Sequence, residues 1–486
     1  MGLNQLVAVG AVLSALTCSG VAGWDPSRSV SEIGLAAAVL ALIWLASRSR
    51  PPEVLPAVLA VGLAGLALWG IWQVVTGFEA IRPGIDELAT PARVYAEERV
   101  ASGRAFASLP LPSHLAILLA TALPLLLARV RAAPRGIIWI AAAVLAVLGL
   151  IATRSPVGLG LAVLTVAPVL VVRHRAAMLL VVGSLIAAIV VIVVIRPDVA
   201  KLEPVSLRLD NWRTGVWLWT TSPASGVGVA SFAQASQANP VAVENRPAHA
   251  HSLPFEALAE LGPAGLAGVL LLGIWLFRLM RDVWKSNRGL ALAIAVVPLH
   301  NLLDFSLFVA GVALPWAVLI GWAVAHRNHP GEGHTAAPAW GRIALVAAVS
   351  AVLGVAILQW TSGVVEEVAA SSTDSQEQFD GAQQALRMGP WRVRPQFLLA
   401  SAAINSGSPS LQDRAWFELD RFRWLRPRSA ALAERRAQLA LARGDVSSAL
   451  SELWIAAAYG SPDSASAQSL AELIDKVEKT GHDAAR

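Results

Sequence analysis

One cysteine, Cys18, stands in the whole sequence. That excludes an intrachain disulfide and any zinc centre built on several thiolates. Charge is scarce too. Charged residues make up 15% of the 486 positions, against 56% hydrophobic ones, and the mean hydropathy is +0.59. A soluble chain of this length needs a far more polar surface, so the composition reads as an all-α, polytopic membrane protein. Tyrosine is nearly missing, with 2 residues, whereas there are 18 tryptophans. Many of these lie near the ends of apolar runs, where interfacial anchors belong. The first apolar stretch lacks a basic leader, and Ala15-Leu16-Thr17 before Cys18 is a poor lipidation signal. It therefore reads as a retained membrane helix rather than a cleaved one. The net charge of +5 is informative by position, and no nucleic-acid partner is expected.

A span needs about 20 mostly apolar residues. Eleven stretches qualify, roughly 3–23, 31–47, 54–76, 112–129, 135–152, 156–172, 176–196, 262–280, 289–301, 303–325 and 341–360. The ninth and tenth are poorly separated; read as one helix, they reverse everything after them. With the N-terminus inside, the inside connections hold Arg48 and Arg50, Arg129, Arg131 and Arg135, Arg173 and Arg175, Arg278, Arg281, Lys285 and Arg288, and Arg327 with Arg342. The short outside connections hold only Arg28 and Arg154. This follows the positive-inside rule. Residues 1–360 are thus expected to form a transmembrane domain with long outside loops at 77–111 and 197–261. Residues 361–486 are expected to form a helical domain on the same side.

In that tail, Gly381–Pro390 and Phe397–Gly407 are followed by a similar unit, Glu418–Pro427 and Ala437–Gly444. A mid-thirties period, with turn glycines and closing prolines, resembles tetratricopeptide repeats, which implies a surface for a protein partner or for the tail's own host domain. An irregular helical bundle is the other reading.

The second long outside loop carries the chemistry. Leu209, Trp212, Val216 and Trp219 recur on one face of an amphipathic helix, suited to a membrane surface or to packing on the bundle. Arg208 and Arg213, five residues apart, fall about 140° apart on a helix of 3.6 residues per turn and cannot both face one small site. Pro223 ends this helix, and Gly226 and Gly228 allow a tight turn. Further on, His249 and His251 precede a second helix with Ser252 as its N-cap and Pro254 in its first turn. Such an N-terminus favours an anion. His-x-His is also half of a zinc site, but no third ligand stands at a usual spacing.

Arg208-x3-Trp212, Pro223-x2-Gly226-x-Gly228-x3-Phe232, His249-x-His251-Ser252 and Glu256-x3-Glu260-Leu-Gly262-x2-Gly265 together resemble the signature loop of the O-antigen ligase and O-antigen polymerase superfamily. His300-x3-Asp304-Phe305 and the stretch from Pro110 through His114 to Pro124 are similar to further family segments, so the likeness covers about residues 100–325. Two departures stand out. Arg154 is displaced by a residue or two from the family's usual Ser-Arg, and Ser252 stands where Asn is commoner.

The resemblance implies transfer of a glycan from undecaprenyl diphosphate to an acceptor hydroxyl, of a lipid A core or another glycan, on the periplasmic face of the bacterial inner membrane, with no cofactor and no metal. Charge builds on the diphosphate as it leaves, and arginine grips such oxygens bidentately. The acceptor must lose a proton, a task suited to histidine. On the family pattern, Arg208 takes the diphosphate and His251 is the base. Arg154 and Arg213 are further diphosphate candidates. His249, Trp212, Glu256, His300 and Asp304 are expected to bind or orient the substrates. The same residues have plainer readings. Arg213 and Arg154 can anchor to lipid headgroups, His300 and Asp304 can form a structural hydrogen bond, Glu256 and Glu260 can be solvated helix charges, and Glu260 can instead pair with a basic group in the bundle. His114 divides evenly between a structural and a functional role. A polymerase of repeat units and a protein O-oligosaccharyltransferase fit the same loop. From other classes, a lipid-linked glycan transporter predicts charges near the bilayer midplane, and an assembly scaffold predicts indifference to Arg208 and His251.

Overall fold

The structure, a computed structural model, describes residues 25–48, 55–86, 90–132, 136–170, 203–239, 247–328, 361–389 and 392–460, with isolated positions 16, 19, 23 and 472. The spans expected at 176–196 and 341–360, nearly all of 3–23, and Cys18 lie outside the described residues. Every regular element among the described residues is helical.

The bundle comprises α1 (Pro26–Arg48), α2 (Leu55–Trp72), α3 (Phe78–Asp86), α4 (Thr90–Ala101), α5 (Pro112–Ala132), α6 (Ile137–Ala152), α7 (Pro156–Leu170), α8 (Glu203–Thr221), α9 (Phe232–Ala235), α10 (Leu253–Trp284), α11 (Arg288–His300) and α12 (Ala310–Asn328). Among the described residues, five helices are long and apolar enough to cross a membrane, and three shorter apolar ones, α6, α7 and α11, coincide with other expected spans. The chain is a multi-pass membrane protein. The ninth and tenth stretches form separate helices, α11 and α12, so the reading of one continuous helix there is excluded.

α5 is the central post. Its residues from Leu115 to Ala120 are all buried, and it packs on α6, α7 and α11. Small residues let the backbones approach, as membrane interfaces favour. A Cβ at Gly158 lies 2.5 Å from that of Ala116, and one at Gly321 of α12 lies 2.4 Å from that of Ala46 of α1. Apolar side chains on the outside, such as Ile137, Leu164, Leu271 and Phe277, remain exposed, which suits a surface solvated by lipid rather than water.

The connections expected on the outside converge on one end of the bundle. Asp25 at the start of α1 meets Ser231, Arg104 reaches Thr153, and Leu253 donates to the Asn301 carbonyl at 2.8 Å. At the other end of the bundle, Arg129 lies over Trp139, Arg288 lies over Trp284, and His326 is hydrogen-bonded to Ser286.

In the tail, α13 (Ser375–Met388), α14 (Arg394–Ser406), α15 (Pro409–Arg421), α16 (Ala430–Ala442) and α17 (Val446–Tyr459) pack in sequence order around Phe379, Leu399, Leu419 and Leu439. Buried Arg436 holds Glu452 at 2.9 Å and Asp420 at 3.1 Å. The turn before α16 touches the bundle at its loop-bearing end.

Candidate active site

A break in α10 shapes the site. Pro263 has no N–H to give the Ala259 carbonyl, and Gly262 leaves the helical path at φ 65°. The freed carbonyls of Ala259 and Glu260 accept from Val227 and Gly228, each at 2.9 Å. The Glu260 carboxylate accepts from the N–H groups of Ala230 (2.9 Å) and Phe232 (3.0 Å). Glu260 is therefore neither solvated nor paired with a basic group, as the sequence suggested. It clamps the glycine turn onto α10.

α8 lies against α10 through Asn211, Thr214, Gly215 and Leu218. Arg208 lies three residues before Asn211 and so shares this inward side; it is half-buried, and its charge reaches His300. Trp212 stacks on Phe255 at 5.2 Å. Leu209 and Val216 stay exposed, leaving an apolar strip on the outer side. Arg213 is exposed and pairs with Asp210 at 2.9 Å.

The two histidines of the His-x-His pair differ sharply. A guanidinium has no acceptor, so the 2.9 Å contact from Arg28 Nη2 to His249 Nε2 requires a lone pair on that nitrogen. The proton then sits on Nδ1 and is donated to Glu256 Oε1 at 2.6 Å. The other Glu256 oxygen accepts from Ala250 N–H at 3.1 Å. His249 is thus neutral, fully engaged and without a free lone pair. Burial, then the adjoining Arg28 charge, push its imidazole down from the ordinary value to about 3. Glu256 is buried and spent on this contact, so it is no solvated charge.

His251 takes a left-handed backbone, φ 53°, which few side-chain-bearing residues adopt without cause. Its side chain is 32% exposed. Nδ1 faces Asp304 Oδ1 at 3.4 Å, too long for a well-formed hydrogen bond. Asp304 also faces His300 Nε2 at 3.3 Å and accepts from Phe305 N–H at 2.9 Å. Burial alone raises the Asp304 carboxyl. The facing His251, the His300 charge and the Phe305 N–H outweigh it and hold the group below the ordinary carboxylate range. His300 is fixed in turn by Ser306 at 3.0 Å.

Phe305 is the hub. His249 stacks on its face at 4.3 Å, while His251 and His114 meet it edge-on at 4.8 and 5.1 Å. His249, His251, His300, Asp304 and Glu256 therefore form one cluster with Arg208 at its edge. Arg213 and Arg154 stand apart from it. Arg154 occupies the α6–α7 turn in a left-handed conformation, φ 47°, and Arg104 braces the same turn through the Thr153 carbonyl at 2.9 Å. Ser252 holds the N-cap position of α10 with extended backbone, but its side chain makes no capping bond. Among the described residues, no group of three His, Cys, Asp or Glu side chains has metal-holding geometry.

The O-antigen ligase family model matches residues 141–270, from α6 through the first half of α10. Over this segment the chain is similar to the O-antigen ligase family. No curated protein sequence matches the chain. The ligase-family segment holds Arg154, Arg208, Trp212, Arg213, His249, His251 and Glu256, whereas His300 and Asp304 come from just beyond it. The family implies glycosyltransferase-type chemistry on a lipid-linked glycan in a membrane. Sequence reasoning missed Arg28 and the hub role of Phe305. The one available signal for Arg28 was a basic residue on the side the positive-inside rule depletes.

The state of His249 carries a pH signature. Its folded pKa lies below the unfolded one, so the unfolded loop binds the proton first as pH falls. The stability of this loop is whole above roughly pH 6.5 and is lost progressively as pH drops toward about 3. Hydrogen exchange at the Ala250 amide checks this: its protection factor, the exchange rate of an unstructured amide at the same pH divided by its own, is expected to fall between neutral and mildly acidic pH, and His249→Gln is expected to flatten that dependence.

Proposed function

We propose that the chain is a membrane glycosyltransferase that moves a glycan from undecaprenyl diphosphate to an acceptor hydroxyl, with the lipid A core as acceptor, on the periplasmic face and without a metal. The single observation that carries the reading is the unequal histidine pair. His249 has both nitrogens engaged, while His251 has Asp304 behind Nδ1 and no partner on Nε2 among the described residues. With Nδ1 protonated toward Asp304, Nε2 is the base. The acceptor oxygen attacks the anomeric carbon with inversion, its proton passes to His251 Nε2, and the bond between that carbon and the phosphate oxygen breaks. Undecaprenyl diphosphate leaves with the electron pair. Arg208 meets the charge that develops there, with Arg154 and Arg213 as outlying cations for the carrier.

The charged groups gather at one end of the bundle rather than at mid-depth, which favours an enzyme over a transporter. A polymerase or a protein glycosyltransferase uses the same site with another hydroxyl.

Purified full-length protein, given an undecaprenyl-diphosphate-linked oligosaccharide and a lipid A core acceptor, is expected to release undecaprenyl diphosphate. Arg208→Ala lowers that rate about 10- to 100-fold, and Arg208→Lys recovers only part of it, because an ammonium cannot grip two oxygens at once. An Arg208→Ala enzyme as active as wild type contradicts the diphosphate role.

A further inference from the structure

The tail reaches the imidazole cluster through a buried relay of charge. Arg426, in the turn before α16, holds Asp25 Oδ2 at 3.1 Å, and both side chains are nearly buried, 12% and 5% exposed. The other Asp25 oxygen caps α1 by accepting the Arg28 N–H at 3.1 Å. Asp25 N–H donates to Ser231 Oγ at 3.1 Å, and Ser29 Oγ donates to the Val229 carbonyl at 2.6 Å, so the start of α1 is fastened to the glycine turn. Arg28 then donates to His249 Nε2. A second tail contact, Gln234 Nε2 to the Arg428 carbonyl at 3.1 Å, seats the same turn against the loop.

We propose that Arg426 is a positioning residue for the imidazole cluster: by taking up the Asp25 carboxylate, it leaves the Arg28 guanidinium to His249. Arg426 is the guanidinium that compensates the buried Asp25 charge, and a buried charge that loses its counter-ion draws in another cation. Arg28 is three residues along the first turn of α1, on the side that i, i+3 neighbours share. Remove Arg426, and Arg28 is the cation at hand to neutralise Asp25. His249 then loses the donor on Nε2 and the tautomer that points Nδ1–H at Glu256. The His249 ring lies flat on Phe305, and His251 is two residues along the same chain with its edge on that phenyl. Release of His249 therefore disturbs the proposed base. The tail on this account completes the site rather than only decorating it.

The geometry of the relay is independent of the transfer reaction, but its effect on turnover rests on the function proposed above. The test therefore uses two readouts on the full-length protein. The first is modification of His249 by diethyl pyrocarbonate, read by mass spectrometry. The second is undecaprenyl diphosphate release. With both nitrogens engaged, His249 is expected to resist the reagent in wild type. In Arg426→Gln its modification rises and turnover falls, each about tenfold, the factor carried by one charge-assisted hydrogen bond. Arg426→Lys keeps most of the protection. Asp25→Asn combined with Arg426→Gln restores protection, because no carboxylate remains to draw Arg28 away; a tail that merely props up the fold is not rescued this way. His249 as protected in Arg426→Gln as in wild type overturns the proposal, as does a double variant no better than the single one. If wild type releases no undecaprenyl diphosphate, the transfer reading fails while the His249 readout still decides the relay.

Discussion

His251→Ala is expected to lower glycan transfer about 10²- to 10⁴-fold, the range that loss of a general base carries, with the protein still inserted and folded. The side chain is the most exposed imidazole of the cluster, 32% against 11% for His249 and 1% for His300, and its Nε2 has no partner among the described residues. Its neighbours are already committed, His249 to Arg28 and Glu256, and His300 to Asp304 and Ser306. Neither of these two has a free lone pair without breaking a buried contact, and His114, whose nitrogens bond nothing, is fully buried, so none of the three substitutes for His251. Asp304→Asn has a smaller effect, because it removes the charge behind the base and leaves the base itself. Steady-state rates with the variants in detergent or nanodiscs check the order. Equal losses for His249→Gln and His251→Ala run against the unequal pair.

Gly226→Ala carries the largest expected effect on stability. Gly226 sits at φ +67°, where an L-residue loses about 1–2 kcal/mol from the left-handed conformation alone. A Cβ there lies 2.3 Å from the Glu260 carbonyl carbon and 2.6 Å from the Ala259 oxygen. Both neighbours are backbone at the break in α10, and neither swings aside as a side chain does. The turn must lift away, and with it go the bonds from Val227 and Gly228 and the clamp on Glu260. Thermal unfolding of the purified protein is expected to shift to lower temperature and activity to be lost together. Gly268→Ala, with nothing within 4 Å of the added methyl, leaves both unchanged.

The spans were legible because lipid demands long apolar helices. The ends of α5, α6 and α12 fall within a few residues of the hydropathy limits except at the start of α12, where residues 303–309, though mostly apolar, form the turn that carries Asp304 instead of extending the helix. The loop motif placed His249, His251, Glu256 and Arg208 in one region, but spacing along the chain says nothing about hydrogen-bond partners. Both glutamates after the histidines look like surface charges on a helical wheel. They are buried because Gly262 and Pro263 break α10 and turn its first segment inward. Arg28, Phe305 and Arg426 come from segments far from His249 in sequence, Arg28 being 221 residues away, too distant for any local pattern to join them.

The most direct test of the proposed function is a gel of envelope lipopolysaccharide from a deletion strain complemented with wild type or with His251→Ala. The account predicts that deletion leaves the lipid A core bare while long polymer accumulates on its carrier. Wild type restores the ladder, and His251→Ala does not. Cores capped by a single repeat unit point to polymerisation instead of ligation. Full restoration by His251→Ala contradicts the central claim that this imidazole takes the acceptor's proton.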